Sequence, residues 1–169
     1  MPRIDEIRAI CLDWGGTLMS EVGGPEEMPM ALWPEVHTLP GACELLRQLH
    51  LLYPLHIATN ANVSNRPMIA KALQRAGLLP YVGEIFCFTE LGCRKSEPQF
   101  WEFVCAKLGL CPQQLAMLGD SLEEDVLAPR RFGVRAVWFN EGGRHAPPDE
   151  PVPTITRLED FPRAVANLA

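Results

Sequence analysis

Lysine is scarce in this chain: Lys71, Lys95 and Lys107 are the only three in 169 residues. Its 15 basic residues face 21 acidic ones, giving a formal charge of -6, and no basic block occurs. That balance argues against a nucleic-acid surface. No apolar run approaches the length of a membrane span. The opening Met1-Pro2-Arg3-Ile4-Asp5-Glu6 carries two acids where a signal peptide would need an apolar core. Six cysteines are present, but no C-x-x-C pair, so a zinc site is the weaker reading. Several fall inside predicted strands or helices, where a free thiol packs as a small hydrophobe. The expectation is a reduced, cytoplasmic protein. Repeats, low-complexity segments and a clean linker are absent too, so residues 1–169 are read as one domain.

What is present is an alternation of strands and helices. Ile7 to Leu12, Leu55 to Ala58, Glu84 to Phe88, Leu115 to Leu118 and Val134 to Phe139 are apolar runs of strand length. Thr154 to Thr156 is a short sixth candidate. Helical spacing marks Ala42, Leu45, Leu46, Leu49 and Leu52, then Met68, Ile69, Ala72, Leu73 and Ala76. A third helix opens at Pro98 and runs through Phe100, Phe103, Val104 and Leu108 to Gly109, and Leu158 to Leu168 predicts a closing one. The pattern predicts an α/β fold with a central parallel sheet of five or six strands and helices on both faces. Met19 to Leu39, rich in Gly, Pro and Glu, reads as an irregular flap, with Met28, Met30, Leu32 and Trp33 packing it down.

Polar residues punctuate the carboxyl ends of the strands. Asp13 and Thr17 follow the first, Thr59 and Asn60 the second, Lys95 the third, Asp120 and Asp125 the fourth. In a parallel sheet these ends share one edge, where open α/β sheets bind ligands. Taken singly, Thr59 is an ordinary strand end, Lys95 a solvated lysine and Asp125 a helix-surface acid. Their succession at consecutive strand ends predicts convergence on one site.

In order and spacing these residues resemble the motifs of the haloacid dehalogenase (HAD) superfamily of hydrolases. The similarity covers Asp13-Trp14-Gly15-Gly16-Thr17, Thr59-Asn60, Lys95 with Pro98, and Gly119-Asp120-Ser121 through Asp125. It implies a Rossmann-like core with Asp13 as nucleophile, forming an aspartyl-phosphate that water cleaves. It also implies Mg²⁺ held by Asp13, Asp120 and the Gly15 carbonyl, with Asp125 as a ligand or its supporting partner. Thr59, Asn60 and backbone amides near Trp14 would bind the phosphoryl oxygens, and Lys95 would neutralise nucleophile and phosphate. The expected substrate is a small phosphorylated compound. The segments after the first and second motifs are too short for a cap domain, so a capless core is expected. Trp33, Met28 and Met30 are either flap contacts in a homo-oligomer or parts of the chain's own core.

One residue departs from the resemblance. HAD phosphatases carry a second Asp two positions after the nucleophile, which protonates the leaving group. Here that position is Gly15. General acid–base help is worth about 10²–10⁴-fold, so alkyl phosphates should turn over slowly unless another group substitutes. Ser20, Glu21 and His37 are candidates that nothing in the sequence aims. The alternative is an impaired domain that binds a phosphoryl ligand or a partner. A dehalogenase is disfavoured by Asp120 and Asp125. A likeness to phosphonoacetaldehyde hydrolase fails because no lysine precedes Lys71.

Overall fold

The structure, a computed structural model, describes residues 6–168. Residues 1–5, read above as lacking a signal-peptide core, lie outside them. Six parallel strands form one sheet in the order β3-β2-β1-β4-β5-β6. They are β1 (Ala9–Leu12), β2 (Leu55–Thr59), β3 (Ile85–Cys87), β4 (Leu115–Gly119), β5 (Arg135–Phe139) and β6 (Thr154–Ile155). The strand order reverses beside β1, and a crevice opens there at the carboxyl ends.

Every residue of β1 is buried, because both faces of the sheet are covered. Ile10 and Leu12 pack on one side with α1 (Ala42–Leu49), α2 (Arg66–Arg75) and α6 (Phe161–Ala166). Ala9 and Cys11 point the other way, toward α4 (Pro98–Leu108). In chain order α3 (Phe88–Leu91) follows β3, and a π-helical turn (Leu122–Leu127) follows β4 and leads into α5 (Ala128–Arg131). Asn65 caps α2, its side chain accepting from the Met68 N–H, and Pro98 opens α4. All six cysteines are free thiols, and Cys11, Cys87 and Cys93 are buried. Among the described residues no helix is long and apolar enough to cross a membrane.

Several boundaries differ from the sequence reading. Residues 88–91 form a helical turn rather than a loop, ending at Gly92. In α4 the buried face is Phe100, Trp101 and Val104, while Phe103 is 51% exposed. The closing helix is shorter than 158–168: a 3-10 turn, Leu158–Asp160, precedes α6, whose Pro162 lies in its first turn.

The flap does pack down. Between β1 and α1 only the 3-10 turn Met30–Leu32 is regular. Trp33 and Met30 are buried in the core, while Met28 and Leu32 stay exposed. Trp33 and Met30 therefore pack on the chain's own core. Gly24 lies flat against the Trp33 indole, so close that a Cβ there would stand 2.2 Å from its ring atoms. Arg75, at the end of α2, donates to three flap carbonyls, Ala31 at 3.0 Å, Trp33 at 2.7 Å and Pro34 at 2.9 Å. The flap's neck is a pair of extended segments: Ser20 N–H donates to His37 and Leu39 N–H to Leu18.

Candidate active site

The strand ends bring the expected residues together. Asp13, just past β1, is fixed through its backbone N–H to the Leu118 carbonyl at 2.9 Å. The Trp14 carbonyl accepts from Leu18 and Met19, which coils the chain tightly after Asp13. Thr17 is thereby brought back between two acids. Its hydroxyl lies 3.1 Å from Asp120 Oδ1 and 3.4 Å from Asp13 Oδ2, and accepts from the Asp120 N–H at 3.1 Å. A hydroxyl has one proton, so it serves one carboxylate at a time.

Lys95 is the electrostatic centre. It is 2% exposed, and its Nζ donates to Asp13 Oδ1 at 2.9 Å and to Asp125 Oδ1 at 2.5 Å. Its backbone is held at both ends: the N–H donates to Asn60 Oδ1, and the carbonyl accepts from the Trp101 indole. The other oxygen of Asp125 accepts from the Ser121 N–H at 3.0 Å. The π-helical turn presents Asp125 against the backbone of Gly119. A Cβ on Gly119 would lie 2.1 Å from Asp125 Oδ2, so only glycine fits. Gly16, at φ +74°, makes similar room: a Cβ there would meet Asp120 Oδ2 at 2.6 Å.

Asp13, Asp120 and Asp125 each offer an oxygen within 4.8 Å of the others. Burial pushes Asp13 up to about 6; Lys95 opposes the rise and Asp120 adds to it. Burial also lifts Asp125 to about 7, against Lys95 and with Asp13 adding. Asp120 is raised by burial and by Asp125. Burial would lower Lys95, but Asp125 and Asp13 outweigh it and hold the ammonium above its usual range. When all three are ionised, three carboxylates against one ammonium leave two negative charges uncompensated. That surplus, on oxygen donors alone, fits a hard divalent cation.

Thr59 and Asn60 reach the same cavity, of about 360 Å³, which Trp14, Glu21, Arg94, Ser121 and Glu124 also line. The Thr59 oxygen accepts from the Ala61 N–H, which leaves its proton to donate. Asn60 is more committed than its motif suggested. Its amide donates to Glu124 Oε2 at 2.7 Å while its carbonyl oxygen takes the Lys95 N–H. A second cavity of about 280 Å³ adjoins, lined by Trp14, Glu21, Met28, Met30, Trp33 and residues 61–64 among others. Sequence reasoning missed Trp101, Trp138 and Glu124, and gave Ser121 a place in the fourth motif but no role. The two tryptophans carried a signal, since a buried indole N–H needs an acceptor; Trp138 donates to the Asp120 carbonyl at 2.9 Å.

Comparison with known proteins follows the same lines. A sequence profile of haloacid dehalogenase-like hydrolases matches residues 25–133, a span that holds Thr59, Lys95, Asp120 and Asp125. A phosphoserine phosphatase from Thermus thermophilus is 34% identical over 74 residues, 44% of this chain and 30% of that protein. The pyrimidine 5'-nucleotidase PynA of Streptococcus pneumoniae is 30% identical over 105 residues, 61% of this chain and 43% of the nucleotidase. The chain thus spans less than half the length of either. An uncharacterised Listeria monocytogenes protein superposes with a TM-score of 0.85 at 23% identity, over 96% of this chain and 98% of that one, which establishes the shared fold. The chain belongs to the haloacid dehalogenase-like hydrolases.

Proposed function

We propose that this chain is a Mg²⁺-dependent hydrolase of small phosphorylated compounds that uses Asp13 as its nucleophile. One observation carries the reading. The Asp13 carboxylate is gripped by a buried lysine on one oxygen and faces Asp120 and Thr17 on the other. A carboxylate so fixed has little freedom left to lose when it attacks. Asp13, Asp120, Asp125 and the Gly15 carbonyl would hold the cation. Bound there, Mg²⁺ would offset the surplus negative charge and polarise a phosphoryl oxygen.

The remaining steps belong to the chain's own groups. Asp13 attacks phosphorus, the bond to the leaving oxygen breaks, and an aspartyl-phosphate forms. Lys95 keeps its charge beside the nucleophile as negative charge builds on the phosphoryl oxygens. Thr59 donates its free hydroxyl proton to one of them, and Asn60 fixes the Lys95 backbone. Water then attacks phosphorus and releases Asp13. The phosphatase and nucleotidase among the relatives support a phosphomonoester substrate. The flap lies over the neighbouring cavity and would take the leaving group there, in place of a cap domain. Six free thiols suit a reducing cytoplasm.

The test is a panel of acyl, aryl and alkyl phosphates assayed with Mg²⁺, for the wild-type chain beside Asp13→Asn. Turnover abolished by the substitution is expected. Turnover absent throughout, or unchanged in Asp13→Asn, overturns the assignment.

A further inference from the structure

Resting on the hydrolase reading, we infer that Glu21 is the proton donor and acceptor of this site. The chemistry needs one group that can lose a proton to the leaving oxygen and then take one from water. The acids lining the catalytic cavity are Asp13, Glu21, Glu124 and Asp125. Asp13 is the nucleophile. Asp125 is bonded to Lys95 and to the Ser121 N–H. Glu124 accepts from Asn60. Glu21, a solvent-exposed residue, is alone uncommitted, for among the described residues its carboxylate enters no hydrogen bond or ion pair.

Its placement follows from the backbone. The turn closed on the Trp14 carbonyl brings Met19 back beside Gly15, and the Ser20 N–H anchors to His37. Glu21 then folds over Gly15, with Oε1 2.4 Å from where a Cβ on that residue would stand. Gly119 and Gly16 make room for Asp125 and Asp120 in the same way. Gly15 therefore makes room for a third carboxylate, delivered from six positions further along the chain. Glu21 also lines both cavities, the one holding Asp13 and the one under the flap. It stands where a phosphoryl group in the first would meet its leaving group in the second. The other two candidates are turned elsewhere. His37 pairs with Glu35 at 3.2 Å, and the Ser20 hydroxyl accepts from the Val22 N–H.

The step balances as follows. Asp13 forms its bond to phosphorus as the P–O bond to the leaving group breaks, and the protonated Glu21 gives its proton to the departing oxygen. Glu21, now ionised, takes a proton from the water that attacks the aspartyl-phosphate. The P–O bond to Asp13 breaks, phosphate leaves, and Glu21 is again protonated.

The test compares Glu21→Gln with wild type on an alkyl phosphate and on a nitrophenyl phosphate. The nitrophenolate needs no protonation to leave, but its phosphoenzyme still needs a base. The variant should lose about 10²–10⁴-fold in kcat/KM on the alkyl substrate. With the nitrophenyl substrate it should gain the mass of one phosphoryl group, trapped on Asp13. The double variant Gly15→Asp with Glu21→Ser, which moves the carboxyl to the neighbouring backbone position, should recover alkyl turnover. Glu21→Gln that equals wild type on both substrates overturns the inference, and the hydrolase reading stands if Asp13→Asn is still dead. A loss equal on both substrates with no trapped phosphoenzyme also overturns it, as a purely structural effect. A wild-type chain inert on both overturns the two readings together.

Discussion

Replacing Lys95 with methionine tests the charge balance of the site. The substitution keeps an unbranched side chain one atom shorter and removes its charge. Asp13 and Asp125, 2.9 and 2.5 Å from Nζ, are left buried without their cation. Breaking a buried pair in this way costs about 3–5 kcal/mol. For a chain of this size each kcal/mol is roughly 2–4 °C in Tm, so the expected fall is about 6–20 °C. The loss must also depend on pH. Both carboxyls already lie above their unfolded values, and removing Lys95 raises them further. A carboxyl whose folded pKa is raised costs stability as pH climbs from the unfolded value to the folded one. The deficit of Lys95→Met should therefore be larger near pH 8 than near pH 5, where both acids can take up protons. Differential scanning calorimetry in a chelating buffer measures both quantities. A fall of less than about 2 °C near pH 8, or a larger fall near pH 5, refutes the reasoning.

Three further outcomes are expected. Gly119→Ala puts a Cβ where Asp125 now lies, breaking its bonds to Lys95 and Ser121, and should cost about 2–3 kcal/mol in urea unfolding; a change within about 0.5 kcal/mol would mean that Asp125 has another place to go. Arg75→Ala frees the flap from three carbonyl contacts, and limited proteolysis should cut within residues 21–34 sooner than in wild type; equal cleavage rates would show that Trp33 packing alone holds the flap. The metal-free chain should lose stability as pH rises from about 4 through 7, because Asp13 and Asp125 are raised, while the Lys95 contribution persists until far higher pH. Mg²⁺ should accordingly raise Tm near pH 8 and do little near pH 5, and an equal rise at both would contradict a site built on these carboxylates.

Part of the site was legible because several of its residues close apolar runs. Asp13, Thr59 and Asp120 follow buried strands, so parallel topology alone brings them to one edge. Lys95 and Asp125 were placed by following the third and fourth strands, but their roles needed the resemblance, since an isolated lysine and a helix acid carry no local signal. Asn60 was found at its place, but its commitment to Glu124 and the Lys95 backbone spans 64 and 35 residues of sequence, beyond any spacing rule. Glu21 could be named and not aimed, because its position depends on the turn around the Trp14 carbonyl. The π-helical turn that presents Asp125 looks like ordinary helix in its composition. Trp101 was hidden by Phe103, which fitted the helical stripe equally well and faces solvent instead.

The central claim is that Asp13 carries the phosphoryl group, and rapid acid quench during turnover tests it most directly. With Mg²⁺ and a nitrophenyl phosphate, peptide mapping by mass spectrometry should find one phosphoryl group on the peptide containing Asp13, and none in Asp13→Asn. Steady turnover with that peptide never phosphorylated, or Asp13→Asn hydrolysing the ester as fast as wild type, would contradict the account.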